Sequence, residues 1–209
     1  EKIDPSGYSQ TSSDWHSVMT NTFKGCTSLT NVNFPKLKII NGCPGMANTF
    51  QGCTSLTTVS FPELTTANGK SCFSNAFQGC TNLTNVSFPK LEKAGEYTFY
   101  QAINNTKVDT LDFPVLNGSL YGGVFAYNNN LRKIWLPKEV TTIKASSSYS
   151  STSYSYSYSP FYGCSKDLVI YTDAPERLEN WSDYCFHISS TEEATVVYGA
   201  THEDFENAV

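Results

Sequence analysis

The sequence predicts a solenoid: a strand-rich stack of coils with little helix, in which each coil adds one short strand to a parallel sheet on the concave side. Three observations carry this expectation. The first is a period. The stretch from Phe50 through Gly52, Cys53, Leu56, Val59, Phe61 and Pro62 to Leu64 is repeated upstream at Phe23, Gly25, Cys26, Leu29, Val32, Phe34, Pro35 and Leu37, and downstream at Phe77, Gly79, Cys80, Leu83, Val86, Phe88, Pro89 and Leu91. The cysteines at 26, 53 and 80 set the spacing at 27 residues. The second observation is alternation: within 56–61, positions 56, 59 and 61 are apolar while 58 and 60 are polar, as a half-buried strand requires. The third is that Ile40, Ala67 and Ala94 each follow Leu37, Leu64 and Leu91 by three residues, so the return segment of every coil also contributes to the core.

A period in the twenties carrying Leu-x-x-Val-x-Phe is the spacing of a leucine-rich repeat. The run Ala76-Phe77-Gln78-Gly79-Cys80-Thr81-Asn82-Leu83-Thr84-Asn85-Val86-Ser87-Phe88-Pro89-Lys90-Leu91 resembles the BspA-type leucine-rich repeat of bacterial surface proteins. With weaker copies included, the resemblance covers residues 23–172. It implies an α/β-horseshoe-class fold, placement at the cell surface or in the secreted fraction, and a role in binding or adhesion.

In order along the chain, residues 1–22 read as an N-terminal cap: a polar lead-in over 1–13, then one or two helical turns from Asp14 carrying Trp15, Val18 and Met19 over the open end of the stack. Residues 23–172 are the repeats. Glycines 42, 69 and 95 follow the return segments, where a turn calls for positive φ. Coil four is looser: Phe99 stands fifteen residues before Pro114, against twelve in the regular copies, which places an insertion near Asn104 and Asn105. Val108, Leu111, Phe113 and Leu116 keep its strand pattern. Coil five restores the spacing from Phe125 to Pro137, with Asn128 in the cysteine slot, where its amide can bond adjacent backbone. A Ser/Tyr-rich insertion over 145–160 interrupts the plan, and coil six resumes at Phe161 with the strand Leu168–Tyr171. Residues 173–209 read as a C-terminal cap, with a short helix opened by Pro175, a β-rich stretch from Ala194 to Tyr198, and a helix N-capped by Thr201. The whole is expected to be one domain, six repeat strands plus a terminal strand.

Composition narrows the chemistry. Net charge is −5 with a pI of about 5.2, and no basic stripe is present, which argues against a nucleic-acid partner. No apolar run reaches the ~18 residues of a membrane span, and Glu1 opens no signal peptide, so the chain reads as mature or trimmed. Cys26, Cys53, Cys80 and Cys164 share one slot and are expected to stack as small hydrophobes rather than bind metal. Cys43 and Cys72 lie outside it, either bonded to each other or free. His16, His187 and His202 are too scattered to assemble a nucleophile and base, the acidic pairs Glu192–Glu193 and Glu203–Asp204 lie in polar segments, and Gly118, Gly122 and Gly123 open no phosphate-binding helix. No enzyme activity and no cofactor are expected, and the chain is expected to be monomeric.

The outward strand positions run from Asn31 and Asn33, through Thr58 and Ser60, Asn85 and Ser87, and Thr110 and Asp112, to Lys133 and Trp135, and Val169 and Tyr171. Small polar groups give way to aromatics along the stack. Trp135 and Tyr171, with Lys133, Asp112 and the tyrosines Tyr154, Tyr156 and Tyr158 of the insertion, have the composition of an interaction hot spot or a sugar-stacking platform for a protein or glycan ligand, possible sources including a host. The competing expectation is that the insertion folds back and covers the rings. A carbohydrate-binding accessory domain and a ligand-free stalk segment are the other roles the pattern allows.

Overall fold

The computed structural model describes residues 2–3, 19–145 and 159–208. In chain order the strands are β1 (Lys2–Ile3), β2 (Asn31–Asn33), β3 (Ile39–Ile40), β4 (Thr58–Ser60), β5 (Thr66–Ala67), β6 (Asn85–Ser87), β7 (Lys93–Ala94), β8 (Thr110–Asp112), β9 (Ser119–Tyr121), β10 (Lys133–Trp135), β11 (Thr142–Lys144), β12 (Val169–Tyr171) and β13 (Thr195–Val197), followed by one helix, α1 (His202–Asn207). The expected helix at Asp14 and the insertion tyrosines lie outside the described residues.

Each coil has three sides. The long-strand side holds β2, β4, β6, β8, β10, β12 and β13, the six repeat strands and terminal strand read from the sequence, with β1 paired to β2 ahead of them. Pairing is parallel and follows the repeat: Val32 sits beside Val59, Val59 beside Val86, and later Leu111 beside Ile134, Ile134 beside Ile170 and Ile170 beside Val196. The return side adds a second set of parallel strands, β3, β5 and β7, then β9 and β11. Both sets break at one place. No ladder joins β6 to β8 or β7 to β9, so the long-strand sheet divides into two four-stranded halves and the return sheet into three strands and two.

The third side is built from turns yet is just as regular. Asn48, Phe50 and Gly52 donate their N–H groups to Ser74, Ala76 and Gln78 of the next coil at 2.8–2.9 Å, while Thr49, Gln51 and Cys53 fold back onto the carbonyls three residues earlier. That alternation needs left-handed backbone at every fourth residue, and Asn48 (φ +54°) and Gly52 (φ +75°) supply it with the residue types that tolerate it best. Glycines 69 and 95 are retained for a different reason from the positive φ expected of them. A Cβ on Gly69 would stand 2.3 Å from the Gly42 carbonyl oxygen, and one on Gly95 2.5 Å from that of Asn68, so close approach between coils excludes a side chain.

The core is a set of aromatic columns. Phe23, Phe50 and Phe77 stack with centroids 5.5 and 5.8 Å apart, and Phe34, Phe61 and Phe88 at 4.9 and 5.1 Å. Coil four departs from the sequence expectation here. Phe99 stacks on Phe73 at 5.6 Å, not on Phe77, and starts a new column continued by Phe125 and Phe161 at 5.7 and 5.5 Å. Phe77 donates to the Ala102 carbonyl as Phe50 does to that of Ala76, so Ile103 fills the slot after Phe77. There is no insertion near Asn104. The coil is shorter, and the chain changes columns, because Phe99 matches an earlier phenylalanine of coil three than its Phe-x-x-x spacing suggests.

The cysteine slot has a function beyond filling space. Cys53 Sγ contacts the Phe23 carbonyl at 3.0 Å, Cys80 that of Phe50 at 2.9 Å, and Cys164 that of Phe125 at 3.3 Å, each thiol donating to the preceding coil. Asn128 does the same, donating to Phe99 O at 2.8 Å and Phe125 O at 2.6 Å and accepting from the Ile103 N–H at 2.9 Å, all while fully buried. Cys26, on the first coil, is exposed. Cys43 and Cys72 are both free thiols. No helix follows Pro175; that segment runs irregularly to Trp181, whose indole N–H donates to Val140 O at 2.9 Å.

Candidate functional site

The strand side has two differing stretches. Along the first three coils Asn31, Asn33, Thr58 and Asn85 are exposed and Ser60 and Ser87 half-buried, giving a lane of amides and hydroxyls over a floor of Val32, Val59 and Val86. Neighbouring rungs are tied by short polar contacts, as where Asn31 Oδ1 accepts from the Thr57 and Thr58 hydroxyls at 3.0 and 2.8 Å. Where β6 and β8 part, a groove of about 260 Å³ opens between Asn85 and Ser87 on one side and Thr110 and Asp112 on the other.

From coil four onward Asp112, Lys133, Trp135 and Tyr171 lie on adjoining rungs, and the element seated on them is part of the chain itself. Trp135 is only 4% exposed beneath α1, its ring 5.0 Å from that of His202 and 5.9 Å from that of Phe205. Tyr171 packs edge-on against Phe205 at 5.7 Å. Lys133 extends its ammonium to the last carbonyls of the helix, Phe205 O at 3.0 Å and Ala208 O at 2.8 Å, where a cation complements the helix C-terminus. Asp112 places both oxygens at 3.0 and 3.1 Å from His202 Nε2, and Glu206 lies 3.3 Å from Nδ1. The helix is fixed at its start by a capping box: the Asp204 N–H donates to the Thr201 hydroxyl, and the Asp204 carboxylate accepts from the Thr201 N–H at 2.7 Å. Those contacts hold the Asp204 carboxyl below the usual carboxylate range.

An open aromatic platform is therefore corrected to a covered one, and among the described residues the covering element is the terminal helix. Tyr154, Tyr156 and Tyr158 lie outside the described residues. The signal that could have given the cover was available: Phe205 is an isolated aromatic on a helix whose N-cap and acidic first turn were already legible.

Among the described residues no group of three or more His, Cys, Asp or Glu side chains is arranged to hold a metal ion. Burial pushes the thiols of Cys72, Cys164 and Cys185 up to about 12, which leaves them protonated and inert at neutral pH. No helix of the described residues is long and apolar enough to cross a membrane.

Parallel single-strand rungs, an apolar stack of repeat positions and a capped end define the chain as a leucine-rich-repeat solenoid. The model of the BspA type leucine rich repeat region matches it in six copies over residues 9–75 and 74–160, and the chain belongs to that family. Among solved structures it is similar to a leucine-rich repeat protein from Bacteroides ovatus ATCC 8483, with a TM-score of 0.50 and 18% identity. The match covers 82% of this chain and 44% of that one, so the chain spans less than half the length of that relative. No curated protein sequence matches at a significant level.

Proposed function

We propose that the chain is a non-catalytic interaction module of a cell-surface or secreted protein, which binds a protein ligand on the open part of its long-strand side. The observation that carries this reading is the division of that side: coils one to three and the β6/β8 groove are uncovered and polar, while the aromatic end is closed by α1. A face so regular, presenting one pair of small hydrogen-bonding groups per rung, is how solenoids offer an extended surface to a partner. Lys133, Asp112, Trp135 and Tyr171 then position the helix that bounds the binding face, and a ligand reaches them only by displacing it.

The test is capture of soluble extracellular-matrix and plasma proteins on the immobilised chain, compared with a Thr58→Arg, Asn85→Arg variant of unchanged melting temperature. Capture that falls at least about tenfold in the variant supports the site, since large charged side chains block a flat polar face while leaving the core intact. Capture of a protein with equal affinity by both chains places the ligand elsewhere. No capture at all favours a spacer segment, and turnover of a peptide or glycan by the purified chain overturns the non-catalytic reading.

A further inference from the structure

The break in the return sheet creates a second cleft, on a different side of the coil from the strand face. Its origin is local. Asn117 still donates its N–H to Glu92 O of coil three at 2.9 Å, but Gly118 turns at φ +80° and donates forward to Glu139 O at 2.8 Å. From that residue coil four pairs with coil five, and β9 joins β11 instead of β7. A cleft of about 410 Å³ is left between Asn68 and Lys93 on one wall and Asn117, Ser119 and Tyr121 on the other.

Tyr121 is the unusual member. It is 42% exposed, and among the described residues its ring stacks on no other ring and its hydroxyl has no hydrogen-bond partner. Its backbone is nevertheless held firmly, because the Tyr97 ring packs against Gly122 and Gly123 immediately after it: a Cβ on Gly123 would stand 3.2 Å from Tyr97 Cε1. The one nearby cation pair is already used, with Lys70 Nζ 3.6 Å from Glu96 and 5.3 Å above the Tyr97 ring.

These features specify a ligand chemistry. The two strand edges, not paired to each other, with the amides of Asn68 and Asn117 and the Ser119 hydroxyl, ask for a partner that both donates and accepts hydrogen bonds. The tyrosine ring asks for an apolar face. A purely apolar ligand leaves the strand edges unsatisfied, and a phosphate finds only Lys93 uncommitted. A pyranose ring, with hydroxyls at its rim and C–H groups on its face, meets both demands, and the cleft lies within the roughly 300–1,000 Å³ usual for small-ligand sites.

We propose that the cleft between β7 and β9 is a saccharide-binding site, with Tyr121 stacking on a sugar face and Asn68, Asn117 and Ser119 bonding its hydroxyls. It shares with the function proposed above only the non-catalytic binding role. The probe is a panel of oligosaccharides of N-acetylglucosamine, glucose, mannose, galactose and glucuronic acid, presented to the full chain on an array and followed by ligand-observed NMR. At least one should bind, with Tyr121→Ala weakening it by about tenfold and Asn117→Ala by about threefold to tenfold, while Tyr121→Trp retains it. Loss of binding on Lys93→Ala for the glucuronate members alone identifies an acidic sugar within the same site. No binding by any member, or binding unchanged in Tyr121→Ala, overturns the proposal. Sugar binding lost only in the Thr58→Arg, Asn85→Arg variant overturns it too, while leaving the strand face as an interaction surface. Protein capture without sugar binding does the same.

Discussion

Coils one to three and coils four to six are made from one motif and solve the same packing problem differently. In the first half the strand centres Val32, Val59 and Val86 are 27 residues apart and every rung carries the long third side, so two phenylalanine columns and one thiol column run straight through it. In the second half the next centres, Leu111 and Ile134, follow at 25 and 23 residues, the Phe23–Phe50–Phe77 column gives way to one through Phe73, Phe99 and Phe125, and Asn128 replaces the thiol. The comparison shows what a repeat must conserve. Coil length and residue identity can change, provided a ring meets a ring and each buried carbonyl of the preceding rung keeps its donor.

The largest effect is expected where the two regimes overlap. Phe88 touches Phe61, Phe73, Phe99 and Phe113, at 5.1, 5.3, 5.1 and 6.0 Å between centroids, so it stands in the Phe34–Phe61 column and packs edge-on against the Phe73–Phe99 column where that one begins. Phe88→Ala should cost about 3–5 kcal/mol in urea unfolding, and more than Phe34→Ala on the first coil, because neither column can move to fill the gap. Equal losses would mean that the change of columns is not a point of special packing.

Next comes the donor slot. Asn128→Ala removes three buried hydrogen bonds and leaves the Ile103 N–H unpaired, and should cost about 2–4 kcal/mol, whereas Cys80→Ala removes one weak thiol donor and a small volume and should cost about 1–2 kcal/mol. If the two cost the same, the asparagine is filling space and not replacing a donor.

A smaller and more local change is expected at the covered end. Phe205→Ala should release α1 from Trp135 and Tyr171, shifting the Trp135 indole resonance and speeding amide exchange in 202–208, while the solenoid melts within a few degrees of the parent. Unfolding of the whole chain by this substitution would make α1 part of the core rather than a cover.

The mildest perturbation is pH. Because the carboxyl of Asp204 is held below its ordinary range by Thr201, its contribution to the helix is complete above the usual aspartate pKa of about 4 and is lost as pH falls through the depressed folded value. Exchange of the Phe205 and Ala208 amides should therefore accelerate on acidification below about pH 4, with no counterpart between pH 6 and 8 from this group. Removing the carboxylate with Asp204→Asn should abolish that acid-dependent step.

The fold was legible because its signal repeats: three near-identical units at one spacing place Leu56, Val59 and Phe61 inside and Thr58 outside by alternation alone. What escaped was non-local. The return strands are two or three residues each and leave no alternation to read. Phe99 looked like the start of a unit because its neighbours resemble one, and only the third-side ladder, which depends on backbone angles at Asn75 and Gln101, shows which earlier ring it meets. At the site, stacking puts the four residues Asp112, Lys133, Trp135 and Tyr171 on adjoining rungs. Their occupant lay more than thirty residues beyond Tyr171, and periodicity carries no information about where a terminal helix docks. Tyr121 gave no signal at all, since its exposure follows from a sheet break that begins with the backbone of Gly118.

The aromatic columns also determine which parts of the chain are interchangeable. Excising residues 23–49, one 27-residue unit, puts Phe50 and Cys53 in the places of Phe23 and Cys26 and leaves the Phe73–Phe99 stack intact, so the shortened protein keeps every kind of contact and merely has fewer of them. Coil four allows no such excision. It alone holds Phe99 for the later column and Ile103 for the earlier one, an adaptor between two gauges of track, and without it the wide rungs would meet narrow ones with Phe77 facing nothing. Units ahead of Phe50 can therefore vary in number without disturbing the adaptor, whereas the unit that carries Phe73 is tied to it.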